Sequence, residues 1–181
     1  SRMGLPSTIG ARVDSWRAII LAAGKGTRMK SSIPKVLQPI CGREMVGLVI
    51  DALRGAGFSD LVAVVPPDSP ELHSAIGPLA RLVEQAEPLG TAHALSQARA
   101  LVGEHQGNIL VINGDVPLVT SETLSTLRLH HEANQACLTL LTCGGFPSGG
   151  LGRVIRGANG KVVAIVEERE MKGEEAMSPE S

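Results

Sequence analysis

Aromatic residues are scarce in this sequence, and their scarcity limits both the core and the partners. The 181 residues include one tryptophan, two phenylalanines and no tyrosine. A folded core must therefore be built mainly from valine, isoleucine, leucine and alanine. Three aromatic side chains are also too few for the stacking platforms on which many proteins hold single-stranded nucleic acid or bare sugar.

The sequence also lacks an excess of charge of either sign. Its 17 lysines and arginines face 18 aspartates and glutamates, which gives a formal net charge of -1. This balance excludes a generally basic nucleic-acid binder, and a charged fraction of 19% is too low for a disordered chain. We expect one folded globular domain that does not bind nucleic acid.

Long apolar runs and paired cysteines are missing as well. No apolar run approaches the ~18 residues that a membrane-spanning helix needs, so we expect no membrane partner. The three cysteines, Cys41, Cys137 and Cys143, form no Cys-x-x-Cys pair and leave an odd thiol under any pairing. This usage is typical of a reducing compartment, so we predict a cytoplasmic protein with three buried, unpaired cysteines.

Apolar β-branched runs do occur, and they alternate with stretches of helical period. The runs predict strands at residues 17–23, 61–65, 79–84, 108–112 and 136–142. The helical spacing predicts helices at residues 45–56, 71–76, 91–101 and 121–128. This alternation is typical of βαβ units, so the predicted fold class is α/β with a mostly parallel sheet.

Both ends of the chain depart from this alternation. Residues 153–156 and 161–166 flank the turn sequence 157–160, Gly-Ala-Asn-Gly, and predict a hairpin that adds an antiparallel element to the sheet. We interpret residues 1–15 as a leader or as residues left from cloning. Residues 16–167 are then the domain, and 168–181 an acidic tail.

Polar or glycine-rich segments follow four of the predicted strands, at residues 22–29, 85–91, 113–117 and 144–152. Ligands of an open α/β sheet bind at the carboxyl ends of its strands. We therefore expect these segments to converge on one rim and to form the binding site.

The first of these segments suits a polyphosphate. Gly24 and Gly26 let backbone N–H groups approach phosphate oxygens, and five basic residues occur from Gly24 to Arg43 without an acid. It is neither a Walker A loop, because no Ser or Thr follows the lysine, nor a dinucleotide fingerprint, because Met29 takes the third glycine position. A glycine-rich turn with solvated lysines is the alternative.

Two further residues have the chemistry of a nucleotide site. Asp115 follows an apolar strand and a glycine, where a carboxylate can hold Mg²⁺ against phosphate oxygens. Gln85 offers the amide donor and acceptor needed to read a pyrimidine edge. The alternatives are a turn aspartate before Pro117 and an ordinary surface glutamine.

Six segments together resemble one family. They are residues 21–29, 34–37, 85–94, 113–118, 152–154 and 165–167, which read LAAGKGTRM, PKVL, QAEPLGTAHA, NGDVPL, GRV and IVE. The set resembles the uridyltransferase domain of the bacterial bifunctional N-acetylglucosamine-1-phosphate uridyltransferases/glucosamine-1-phosphate acetyltransferases. The first segment alone marks the wider sugar-nucleotidyltransferase superfamily, whereas the full set in this order is much more specific.

The resemblance implies a three-layer Rossmann-like nucleotidyltransferase fold and a role for each matching residue. Arg28, Lys35 and Asp115 would be catalytic, with Asp115 holding Mg²⁺ and the two cations facing the phosphates. The residues implied to bind the nucleotide are Leu21, Ala22, Ala23, Gly24, Gly26, Lys35, Gln85, Gly90 and Thr91, the last three of them at the uracil. The implied sugar-binding residues are Asn113, Gly152 and Glu167.

The activity that the resemblance implies is transfer of UMP from UTP to N-acetylglucosamine-1-phosphate. The products are UDP-N-acetylglucosamine, a precursor of peptidoglycan and lipopolysaccharide, and pyrophosphate. The attacking phosphate is already anionic at neutral pH, because its second pKa is near 6, and needs no general base. We therefore assign none of the five histidines a catalytic role.

Several alternatives stay open at this point. The chain could act on another sugar or alcohol phosphate, or on molybdopterin. It could also bind nucleotide without turnover, because the family's Glu-Ile-Asn-Thr-Gly segment and its later Mg²⁺-binding asparagine have no counterpart after Asn159. A dinucleotide-binding oxidoreductase ranks last. We expect a trimer only if the native protein carries the family's C-terminal β-helix.

Overall fold

The computed structural model of the protein describes residues 16–24, 31–87, 90–103, 105–144, 152–167 and 170–171. The predicted leader lies outside these residues, and so does the predicted acidic tail apart from residues 170–171. In chain order the elements are β1 (Arg17–Leu21), β2 (Pro39–Ile40), β3 (Arg43–Glu44), α1 (Met45–Gly55), β4 (Asp60–Val65), α2 (Pro70–Ile76), β5 (Arg81–Glu84), α3 (Thr91–Gln97), α4 (Arg99–Gly103), β6 (Ile109–Asn113), α5 (Ser121–Ala133), β7 (Arg153–Arg156) and β8 (Val162–Val166).

Contacts divide the chain into two units, Ser1–Arg128 and Leu129–Ser181. The first unit contains β1 to β6 and α1 to α4, the second contains β7 and β8, and α5 crosses the boundary. No helix in the described ranges is long and apolar enough to span a bilayer.

Four strands of the first unit form a parallel sheet in the order β5-β4-β1-β6. Arg17 is in register with Asp60 of β4 on one side and with Ile109 of β6 on the other. Each connection between these strands includes a helix. The predicted α/β class is thus confirmed, and the carboxyl ends of all four strands lie at the same edge of the sheet.

Successive side chains of a strand point to opposite faces of the sheet, so a strand that is apolar throughout needs cover on both faces. Helices cover both faces of this sheet. Ala18 and Ile20 of β1 pack into a cluster with α1, α2 and α5, whereas Ile19 packs into a second cluster with α3. All three are fully buried. The result is a three-layer arrangement with an aliphatic core, in which Trp16 and Phe58 form an edge-to-face pair at 5.7 Å.

Helix α1 shows how the local sequence specifies this packing. Val46, Val49, Ile50 and Leu53 recur on one helical face and are buried, and burial of each such side chain contributes about 1.5–3 kcal/mol. The helix ends at Gly55, and Gly57 follows with a φ of 88° that favours glycine.

One predicted strand is wrong. Residues 136–142 form no strand, although their composition is that of one. Leu138 and Leu141 are 69% and 59% exposed, so the segment gains neither a buried face nor a hydrogen-bonded ladder within the described residues. An extended segment without a paired strand is not stable on its own.

The prediction that the cysteines are buried is also wrong, since all three are exposed and free. Cys41 lies in the turn between β2 and β3 with a φ of 51°, where its side chain points away from any core. Cys137 lies within the segment 136–142, which fails to become a strand, and Cys143 directly follows it.

Two other elements differ from their predictions in detail. The helix predicted at 91–101 is broken at Ala98 into α3 and α4. Ser96 donates a hydrogen bond of 2.7 Å to the His93 carbonyl, and such bonding back to the preceding turn bends helices. The predicted hairpin is present as β7 and β8, but among the described residues it forms a two-stranded sheet of its own.

Candidate functional site

A cleft of about 580 Å³ opens at the carboxyl edge of the parallel sheet. Its size is in the range of pockets that hold small-molecule ligands. It lies over the ends of β1, β4 and β5, and its lining consists of Ala23, Gly24, Ser31, Ser32, Ile33, Pro34, Pro66, Pro67, Asp68, Ser69, Leu72, Gln85 and Ala86. Three residues predicted to bind the nucleotide, Ala23, Gly24 and Gln85, are therefore brought together here.

Gln85 is held firmly in this cleft. Its backbone N–H donates to the Val65 carbonyl at 2.8 Å, which continues the β4–β5 ladder past the end of β5. The residue is only 5% exposed, so the alternative of an ordinary surface glutamine is wrong. Its side-chain Nε2 lies 3.4 Å from the Gly90 carbonyl and 2.9 Å from Nδ1 of His93.

Gly90 and Thr91 shape the start of α3 beside Gln85. Gly90 has a φ of 99°, a conformation that favours glycine, and its carbonyl accepts the Ala94 N–H at 3.0 Å. Thr91 is the first residue of α3 and is exposed. The backbone turn at Gly90 thus fixes a carbonyl against the Gln85 amide.

Lys35 and Asp115 form an ion pair at the same edge of the sheet. Lys35 Nζ donates to Asp115 Oδ2 at 2.6 Å, with 40% and 30% of the two side chains exposed. Gly114 places the aspartate, since its N–H donates to the Leu21 carbonyl at 2.9 Å. A Cβ at position 114 would lie 3.3 Å from that carbonyl oxygen, so a larger residue would push the loop outward.

Four further residues are predicted to bind the nucleotide or its phosphates, namely Leu21, Ala22, Gly26 and Arg28. Leu21 ends β1, and the side chain of Ala22 is buried in the core. Gly26 and Arg28 lie outside the described residues. The basic cluster is also less open than its sequence implied, because Arg43 pairs with Asp51 at 2.7 Å.

The donor set at Asp115 is compatible with a magnesium ion. Mg²⁺ is usually held by one or two carboxylates together with waters and substrate phosphates. Asp115 offers Oδ2 to Lys35 and makes no other hydrogen bond with the described residues, so one carboxylate oxygen is left for a cation. The described residues contain no group of three His, Cys, Asp or Glu side chains that could hold a metal alone.

The predicted sugar residues occupy two places. Asn113 is the exposed last residue of β6, two positions before Asp115. Gly152 and Glu167 belong to the second unit and flank the open end of its hairpin. A Cβ on Gly152 would lie 3.2 Å from the Val166 carbonyl oxygen and 3.8 Å from the Glu167 Cα.

Two lining segments were missed by the sequence reasoning. Residues 66–69 follow β4 directly and contribute Asp68 and the buried Ser69 to the cleft, and residues 31–34 line its other part. Residues 66–69 could have been predicted as part of the site, because they follow the second predicted strand at its carboxyl end. Residues 31–33 carry no such signal, whereas Pro34 belongs to the PKVL segment of the family resemblance.

The fold is one that solved nucleotidyltransferases share. A UDP-glucose pyrophosphorylase, solved in complex with UDP-glucose, superposes with a TM-score of 0.73 over 91% of this chain and 72% of that chain, at 18% identity. A nucleotidyl transferase from Methanothermobacter thermautotroptrophicus matches with a TM-score of 0.53 and 25% identity over 65% of this chain and 58% of that chain. The family model of the MobA-like NTP transferase domain matches residues 18–154, and the chain belongs to this family.

Curated relatives share more sequence with the chain. The bifunctional protein GlmU of Bacillus licheniformis is 40% identical over 93% of this chain and 37% of its own length. The proteins of the same name from Bacillus cytotoxicus and Exiguobacterium sibiricum are 44% and 42% identical, over 84% and 90% of this chain and 33% and 36% of their own lengths. The chain thus spans about a third of the length of these relatives.

Proposed function

We propose that the domain transfers UMP from UTP to N-acetylglucosamine-1-phosphate and forms UDP-N-acetylglucosamine and pyrophosphate. As a peptidoglycan and lipopolysaccharide precursor, this product would be made in the cytoplasm. The observation that carries the proposal is the buried Gln85 in a nucleotide-sized cleft at the carboxyl edge of the sheet. Membership of an NTP transferase family and the similarity to GlmU proteins support it.

The proposed reaction needs positive charges beside the phosphates rather than a general base. A phosphate oxygen of the sugar phosphate attacks the α-phosphorus of UTP, the bond from that phosphorus to the bridging oxygen breaks, and pyrophosphate leaves with the electron pair. The nucleophile is mostly anionic at neutral pH, so no side chain has to take its proton. The barrier is repulsion between anions and the charge that builds up on the transferring group.

Lys35 and Asp115 suit this task together. The Lys35 ammonium, positioned by Asp115 at 2.6 Å, is a fixed positive charge at the strand ends, and the family resemblance adds Arg28 to it. Asp115 would hold Mg²⁺, which when bound neutralises charge on phosphate oxygens. Gln85 would bind the uracil, and Asn113, Gly152 and Glu167 would bind the sugar.

Pyrophosphate release from the 181-residue chain tests the proposal. We expect release to require Mg²⁺, UTP and N-acetylglucosamine-1-phosphate together. Equal or faster release with CTP, GTP or dTTP would contradict the nucleotide assignment. Calorimetric binding of UTP without any pyrophosphate release would instead identify a nucleotide-binding module without turnover.

A further inference from the structure

Within the described residues, the side chain of Gln85 is held by its nitrogen alone. Nε2 lies within hydrogen-bond distance of the Gly90 carbonyl and of Nδ1 of His93, at 3.4 and 2.9 Å. The amide oxygen has no partner among the described residues, and Gln85 lines the cleft. A glutamine can present either end of its amide to a ligand, so whatever fixes the nitrogen decides that the oxygen faces the cleft.

The proton on His93 follows from its two neighbours. Its Nδ1 faces Gln85, and its Nε2 lies 3.1 Å from the amide nitrogen of Gln97. A neutral imidazole has one N–H and one lone pair, so it accepts from one glutamine and donates to the other. We assign Gln85 as the donor, because the Gly90 carbonyl beside it can only accept and because Gln85 is buried, so water cannot readily replace that contact. We infer that His93 Nδ1 accepts and that Nε2 carries the proton. Gln97 Nε2 also lies 3.4 Å from the His93 carbonyl and 3.4 Å from Ser96 Oγ, but Gln97 is only partly buried, so water can replace these two long contacts when its amide oxygen turns toward His93 Nε2.

We propose that His93 is a positioning residue that locks the Gln85 amide with its oxygen toward the cleft and thereby sets the preference for uracil over cytosine. The proposal rests on the proposed function, in which Gln85 contacts the base. Uracil presents an N–H donor at N3, which a fixed acceptor binds. Cytosine presents a lone pair at N3, which the same acceptor repels.

His93 acts through Gln85 and does not take part in the reaction. An unlocked Gln85 amide could rotate by 180° and donate to cytosine as readily as it accepts from uracil. Loss of the imidazole should therefore change base preference more than overall affinity. The Gly90 carbonyl alone, at 3.4 Å, is the weaker of the two contacts that oppose this rotation.

Calorimetric titration of the 181-residue chain with UTP and with CTP tests the proposal. We expect His93→Ala to lower the ratio of the CTP to the UTP dissociation constant by about tenfold, as loss of one hydrogen bond to a specificity group predicts. His93→Asn should retain most of the preference, because the asparagine oxygen can accept near the position of Nδ1. His105→Ala is the matched control, since His105 is also partly buried but bonds to the Asn108 carbonyl at 3.1 Å, outside the cleft.

The outcomes separate the two proposals. A wild-type chain that binds CTP as well as UTP would overturn the base assignment of the proposed function and the role of His93 with it. A wild-type preference that persists unchanged in His93→Ala would overturn the role of His93 alone. A ¹⁵N spectrum of the wild-type chain with the His93 proton on Nδ1 would also overturn it, and this measurement depends on neither a variant nor a nucleotide.

Discussion

The two edges of the parallel sheet carry ion pairs that are built in opposite ways. At the amino edge, Arg17, Asp60 and Arg81 are the first residues of β1, β4 and β5. Asp60 accepts from Arg17 at 2.8 Å with one oxygen and from Arg81 at 2.7 Å with the other. Arg17, whose side chain is only 11% exposed, also donates to the Leu101 carbonyl and so ties α4 to the sheet. This network uses both carboxylate oxygens.

At the carboxyl edge, the Lys35–Asp115 pair uses one carboxylate oxygen, and both side chains are more exposed than Arg17. The lysine presents a point charge with further N–H donors, whereas the arginines at the amino edge make directed contacts. A network with its oxygens occupied holds strands together, while a pair with spare capacity can receive a ligand. The difference suggests that similar charges serve stability at one edge and binding at the other.

We expect the largest effect on activity from a substitution at the carboxyl edge. Asp115→Asn should lower the rate of pyrophosphate release by about 10²–10³, equivalent to about 2.7–4 kcal/mol of transition-state stabilisation. The free energy of unfolding should change by less than about 1 kcal/mol, because the pair is partly exposed. Steady-state kinetics and denaturant unfolding of the same preparation measure both quantities.

Asp51→Asn is the control for this variant. Asp51 pairs with Arg43 on the surface of α1, with about half of each side chain exposed. The Asp51→Asn substitution should leave both the rate of pyrophosphate release and the free energy of unfolding nearly unchanged. If Asp115→Asn destabilised the fold and left the rate intact, the carboxyl edge would be a structural edge like the other one.

A smaller effect is expected at the amino edge, on stability alone. Asp60→Asn should lower the free energy of unfolding at pH 7 by about 1–2 kcal/mol, because it removes the countercharge of the mostly buried Arg17. The value is below that of a fully buried pair, since a third of Asp60 is exposed. UTP affinity should not change, and an altered affinity would show that the two edges are coupled.

The free energy of unfolding should depend on pH differently in the wild type and in Asp60→Asn. Partial burial raises the pKa of Asp60, but the hydrogen bonds and charges of Arg17 and Arg81 outweigh it and hold the pKa below its ordinary value of 3.8. The stabilisation is therefore complete above about pH 4 and is lost as the pH falls through the lowered value. The difference between wild type and Asp60→Asn should shrink in that acid range, as urea unfolding at several pH values would show.

The fold of the first unit could be predicted because its signals are local. The alternation of Ala18, Ile19 and Ile20 between two clusters is visible as a run that is apolar on both faces, and the helical period of α1 is equally clear. Residues 136–142 have the same strand-like composition but form no strand. A strand also needs a partner at its edge, and a window of sequence does not show which partner is within reach.

The site was predictable only in part for a similar reason. Lys35, Asp115 and Gln85 stand in motifs, and the order of the strands places them at one edge. Asp68 lies in a loop whose Pro-Pro-Asp-Ser sequence is that of any turn, so only its position after a predicted strand could have marked it. The contact between His93 and Gln85 depends on a positive φ at Gly90, which folds residues eight positions apart against each other.

The two arginines of the amino edge should differ in how much they stabilise the fold, and loss of Arg81 should have the smallest effect of all. The Arg81 side chain is 51% exposed and, in the part of the chain that the structure describes, donates only to Asp60. Arg17 is largely buried and also bonds a backbone carbonyl. Arg81→Ala should therefore lower the free energy of unfolding by about 0.5 kcal/mol, and Arg17→Ala by about 2 kcal/mol. Denaturant unfolding of both variants at pH 7 measures the difference. Equal losses would mean that Asp60 needs both countercharges alike, and that the burial of Arg17 adds nothing to the pair.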